Sequence, residues 1–81
     1  MPVKIETIGE CCTDCALIIV NDDDSGINDP ATHRAAMARG YERLGCIAYY
    51  VGDDVGFSYR SCDVCDSGLG GDRFELLGEL A

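Results

Sequence analysis

Residues 3–8, Val-Lys-Ile-Glu-Thr-Ile, alternate apolar and polar side chains, the period-2 signature of a half-buried strand. Residues 9–15, Gly-Glu-Cys-Cys-Thr-Asp-Cys, break the alternation and read as a tight, cysteine-bearing turn. Residues 16–20, Ala-Leu-Ile-Ile-Val, form a short apolar run rich in β-branched side chains and read as a buried strand. A polar loop over 21–29 follows. Residues 29–45 then carry helix punctuation: Asp29 is placed to cap, Pro30 suits the first helical position, and Gly45 suits the exit. His33, Met37, Gly40, Tyr41 and Leu44 fall on one helical face, while Arg34, Arg39 and Arg43 point elsewhere.

Residues 46–51 read as a strand, 52–56 (Gly-Asp-Asp-Val-Gly) as a turn, and 57–60 as a strand running back, which sets Cys46 across from Cys62. A second cysteine-bearing turn leads into residues 72–80, a last strand or short helix. The pattern predicts one α+β domain over residues 1–81, small and zinc-ribbon-like, with short antiparallel strands, two cysteine knuckles and one helix. An approximate echo marks its two ends: strand, C-x-x-C turn, apolar segment.

Length changes how the cysteines are read. A chain of 81 residues has a small core, and chains of this size commonly add a disulfide, a metal or a partner. Six cysteines are present. The first ten residues lack a basic head, an apolar run and a cleavage site, so the expectation is a cytosolic protein with reduced thiols. No apolar run is long enough to span a bilayer.

Cys12-Thr13-Asp14-Cys15 and Cys62-Asp63-Val64-Cys65 are two C-x-x-C units. Two intervening residues let both sulfurs of a unit face one point. Two units supply four thiolates, a tetrahedral shell that suits Zn²⁺. The alternatives are two disulfides, each closing a very short and weakly stabilising loop, or free thiols. A thioredoxin-like redox role wants one such unit beside a βαβ pattern. Gly68, Gly70 and Gly71 let the chain fold back after Cys65 and offer unhindered N–H groups to the sulfurs. Asp63 and Asp66 are expected to face water and cap turns, with Arg60 and Arg73 offsetting the local negative charge. Cys11 and Cys46 remain as small buried hydrophobes, or as supporting or alternative ligands. His33, the one histidine, reads as a half-buried core residue rather than a ligand or base.

Other chemistry is thin. Residues 21–32 place Asn21, Asp23, Ser25 and Gly26 like part of a calcium loop, but Thr32 stands where a bidentate glutamate belongs and Asn28 where an apolar residue is usual. The Gly-rich stretch 68–73 lacks the lysine of a phosphate loop. No catalytic constellation stands out, and a four-thiolate zinc has no open position for substrate. Six basic residues face fifteen acidic ones, a net charge of −9, which opposes nucleic acid as the main partner and favours basic protein partners.

Residues 56–76, Gly-Phe-Ser-Tyr-Arg-Ser-Cys-Asp-Val-Cys-Asp-Ser-Gly-Leu-Gly-Gly-Asp-Arg-Phe-Glu-Leu, together with 12–23, resemble small zinc-ribbon-like proteins encoded by phages of actinobacteria. The resemblance covers the two ends of the chain and not the middle helix. It implies a zinc-binding protein made in the host bacterial cytoplasm during infection, and no established activity. Those proteins carry histidine where this chain has Phe74, so no role for a histidine passes across.

The expected function is therefore a non-enzymatic zinc module that engages a host or phage protein. Alternatives are a nucleic-acid-binding or transcription-regulating zinc ribbon using Arg34, Arg39 and Arg43, and a rubredoxin-like iron carrier. Against the carrier, Ala16 and Asp66 follow the two units where rubredoxins usually have glycine.

Overall fold

The computed structural model describes residues 4–80. Val3, the start of the first expected strand, lies outside them. The elements run β1 (Lys4–Cys12), α1 (Thr13–Asn21), α2 (Pro30–Leu44), β2 (Ala48–Ser58) and β3 (Gly71–Leu80). The three strands form one antiparallel sheet of order β1-β3-β2. The C-terminal strand thus sits in the middle and pairs with both others, Cys12 opposite Arg73 on one side and Ser58 opposite Gly71 on the other. The architecture is α+β and compatible with a zinc-ribbon-like fold.

Helix α2 forms where its punctuation places it. Asp29 accepts from the Thr32 N–H at 3.2 Å and from the Thr32 hydroxyl at 2.8 Å, and Pro30 opens the first turn. Gly45 ends the helix at φ 69°, a left-handed conformation that favours glycine, and its N–H reaches the Tyr41 carbonyl. Met37 and Gly40 are buried. Tyr41 stacks on Tyr49 of β2 with ring centroids 4.4 Å apart, and the Tyr49 hydroxyl donates to the Tyr41 carbonyl.

Residues 16–20 are helical, not a strand, so the domain has two helices rather than one. A five-residue apolar run is ambiguous between the two periods. Here the polar residues on both sides complete a helix: Asp14 lies in its first turn, where a carboxylate favours the helix dipole, and Cys15, Ala16 and Ile18 turn inward. Asp22 closes it in the left-handed region at φ 54°. The first cysteine segment is accordingly a strand-to-helix junction and not a knuckle.

Residues 52–56 do not turn. Strand β2 runs straight through them, pairing with β3 from Ala48 to Ser58, and the register slips between Val51 and Asp54 and again between Asp54 and Gly56. Glycine and aspartate serve bulges as readily as turns. Gly56 takes φ 95°, and its N–H donates to the Asp54 carboxylate at 2.7 Å. The hairpin expected between 46–51 and 57–60 is therefore absent, and 72–80 belong to a strand. The chain reverses instead through residues 59–70, which carry the second cysteine pair.

The core is small. Its buried apolar members are Cys11, Cys15, Ala16, Ile18, Met37, Cys62, Val64 and Leu76, so three of eight are cysteines. Large hydrocarbon side chains are too few to hold so short a chain alone. The tightest approach is Gly40 of α2 against Val64: a Cβ on Gly40 would overlap the Val64 carbonyl, a backbone group that cannot swing aside.

Gly40→Ala should therefore destabilise the folded protein by about 2–4 kcal/mol, overpacking outweighing the roughly 1 kcal/mol gain in helix propensity. Gly26→Ala, where nothing lies within 4 Å, should change stability by less than about 0.5 kcal/mol. Denaturant unfolding of both variants checks the pair.

Candidate metal centre

Strand β1 ends at Cys12, which is also the N-cap of α1. One helical turn later Cys15 points back to the same spot. Cys12 makes no capping bond with its side chain, which leaves its sulfur free for the cluster. From the other end of the chain, residues 62–66 form a tight turn: the Asp66 N–H reaches the Cys62 carbonyl at 2.9 Å, and the Cys62 N–H reaches the Ser67 carbonyl at 3.0 Å. Asp66 takes φ 63° and stays exposed.

This turn delivers Cys62 and Cys65 to the first pair. The sulfurs of Cys12, Cys15, Cys62 and Cys65 all lie within 4.8 Å of one another. Cys12 and Cys65 are 3.8 Å apart, and Cys15 and Cys62 are 3.7 Å apart. Four sulfurs at ~2.3 Å from a central ion in a tetrahedron would stand ~3.8 Å from each other. The spacing thus fits one metal ion, and all six cysteines are free. No other group of metal-ligating side chains occurs among the described residues.

The surroundings treat the four thiols unequally: two are drawn towards thiolate, and Cys12 and Cys15 are pushed the other way. The N–H groups of Cys12 and Val64 donate to Cys62 Sγ at 3.3 and 3.4 Å. These donors, and not Gly68, Gly70 or Gly71, supply the backbone N–H···S bonds among the described residues. Gly70 is needed for a different contact, since a Cβ there would press on the rings of Tyr59 and Phe57. Contacts with Cys12 and Cys15 draw Cys62 and Cys65 down towards thiolate. Contact with Cys12, then with Cys62 and Cys65, pushes Cys15 up. Four close sulfurs cannot all ionise without a cation, and a divalent ion removes that conflict.

Cys11 and Cys46 lie outside the cluster. Cys11 is fully buried in the core, and burial first, then Cys62, pushes its thiol up to about 12. Cys46 is not opposite Cys62, because the hairpin that would have placed it there does not form. Its sulfur packs against Gly78 and its N–H donates to the Tyr49 hydroxyl. His33 has a closer connection than its helical face suggested: Nε2 lies 3.4 Å from Cys15 Sγ.

Two further residues carry the site, and both have partners that no local pattern reveals. Asp63 does not face water. Its carboxylate accepts from the Glu10 N–H at 2.8 Å and its own N–H donates to the Glu10 carbonyl at 3.0 Å, docking the turn on β1. A register slip in β1 between Thr7 and Gly9, and the missing Cβ of Gly9, make room for it. Arg73 is only 2% exposed. Its Nη2 donates to the carbonyls of Arg60 and Leu69, one on each side of the cysteine turn. The Arg60 side chain, by contrast, is exposed.

The residues read against a calcium loop do turn chemistry instead. Asp23 accepts from the N–H and hydroxyl of Ser25, and Asp22 and Asp24 both pair with Arg34 at 2.9 Å. Among the described residues no helix is long and apolar enough to cross a membrane. Compared with protein-family models, curated proteins and solved structures, the chain matches none of them.

Asp63→Ala should cost the metal-loaded protein about 1–3 kcal/mol, the penalty for orphaning a half-buried N–H. Asp63→Asn, which keeps an acceptor oxygen, should recover at least half of that. Equal losses in urea titrations of the two variants would contradict the docking role.

Proposed function

We propose that the chain holds one structural zinc through Cys12, Cys15, Cys62 and Cys65, and that the stapled fold is a non-enzymatic binding module for another protein. The observation that carries the metal half is the convergence of four sulfurs at tetrahedral spacing. Four soft thiolates suit zinc and also iron, and they fill a tetrahedron, leaving no site for substrate.

The binding half rests on the surface. Phe57, Tyr59 and Leu69 are 61%, 81% and 80% exposed, and the first two pack edge to face at 4.8 Å. They flank the turn that carries Cys62 and Cys65, so the metal would fix their positions. Exposed apolar groups gathered in this way favour a protein partner. With a net charge of −9, the fitting partner presents a basic surface with apolar side chains. In the phage setting implied by the resemblance, that partner is a host or phage protein in the bacterial cytoplasm. The arginines of α2 give nucleic acid little to hold: Arg34 is occupied by Asp22 and Asp24, and Arg43 by the Asp63 carbonyl.

Elemental analysis of untreated protein should give one zinc per chain, with four thiols protected from a thiol reagent until the zinc is removed. A chelator, or Cys62→Ser, should unfold the domain, since zinc contributes ~10–16 kcal/mol in small cysteine sites. Cys46→Ser should keep full zinc content. A red, iron-loaded protein would support the electron-carrier alternative, and a thermal transition unmoved by chelator would remove the structural metal.

A further inference from the structure

We infer that Arg73 is the built-in counter-charge of the metal centre, and that it sets how strongly the four thiolates hold a divalent ion. The inference rests on the metal reading above. A divalent ion bound by four thiolates carries two net negative charges, and burying them is costly unless positive charge lies near.

Arg73 has the placement and the unmet electrostatics for this task. It is nearly fully buried, in a chain with fifteen acidic residues, yet among the described residues it takes part in no ion pair. Its acceptors are the backbone carbonyls of Asp72, Arg60 and Leu69, and its Nε–H has no partner at all. A buried guanidinium that finds only carbonyls is expensive, and native structures keep such groups where another charge compensates them.

The four thiolates would supply the compensating charge. Arg73 is the cross-strand partner of Cys12, and the two residues line the same cleft of about 370 Å³ together with His33 and the start of α1. Its bonds to the Arg60 and Leu69 carbonyls hold the chain before Cys62 and after Cys65. One side chain therefore clamps the turn of the second cysteine pair and lines a cleft with Cys12 of the first. Arg39, Arg43 and Arg60 are exposed and cannot replace it in a water-poor interior.

Charge and clamp separate by substitution. Arg73→Lys keeps the charge and loses the fork; Arg73→Gln keeps donors and loses the charge. Cobalt(II) affinity is measured by competition with a chromophoric chelator, and the iron(III)/iron(II) midpoint potential by electrochemical titration of iron-loaded protein. Positive charge favours the more negative reduced centre, so its loss lowers the potential. Arg73→Gln should weaken cobalt binding roughly tenfold or more and shift the potential negative, whereas Arg73→Lys should stay within about threefold of the native protein in affinity. Arg60→Gln should match native in both.

If Lys and Gln behave alike, or neither folds with zinc present, Arg73 is a clamp only and the inference falls. An unchanged Arg73→Gln protein also overturns it. If the native chain itself takes up no metal through these thiols, the reading beneath it fails instead.

Discussion

The structure depends on bringing four sulfurs to one point from cysteines roughly fifty positions apart in sequence. Nothing local can do this. Cys12 and Cys15 share a strand end and a helix turn, and Cys62 and Cys65 share a tight turn, but the two pairs meet only because β3 lies between β1 and β2. The loop leading into β3 must return the second pair to the end of β1, where the first pair waits. A cross-link closing a loop of this length removes about 4 kcal/mol of chain entropy from the unfolded state on the disulfide scale. That is comparable with all the net stability a core of this size supplies. The sheet order and the cluster are thus two aspects of one constraint: the sheet presents the sulfurs, and an ion among them would hold the sheet's two ends together.

What could be read from the sequence follows from where each decision is made. Helix α2 was legible because its cap, its proline, its face and its exit glycine all act within a few residues. The two C-x-x-C units were legible because their chemistry depends on a spacing of two. Residues 16–20 were not, because Ile-Ile-Val favours a strand locally and the helix is imposed by its surroundings: Cys15 must come back over Cys12, and only a helical turn returns it. Residues 52–56 failed for a related reason. Aspartate and glycine suit a hairpin turn and a bulge alike, and the choice between them is made by β3, some twenty residues further on. The false hairpin then misplaced Cys46. Asp63 and Arg73 were visible as charges near the cysteines. Their actual partners, the Glu10 backbone and the carbonyls of Arg60 and Leu69, are set by the tertiary arrangement.

The distribution of charge joins the site to the surface. The chain is strongly acidic, yet its interior charge is positive. Lys4 pairs with Glu6 and Arg34 with two aspartates, Arg43 is held by a backbone carbonyl, and Arg73 is buried. Among the described residues this leaves Arg39 and Arg60 as the arginines whose side chains are uncommitted, too few for the several phosphate contacts that nucleic-acid binding needs. No acidic side chain is fully buried among the described residues. An ion held among the four sulfurs would share the fold with a buried arginine, so balancing its negative shell would not call for surface lysines. The same loop that Arg73 grips exposes Tyr59 and Leu69 to water. Whatever fixes the four sulfurs therefore also restrains the loop that bears those two side chains.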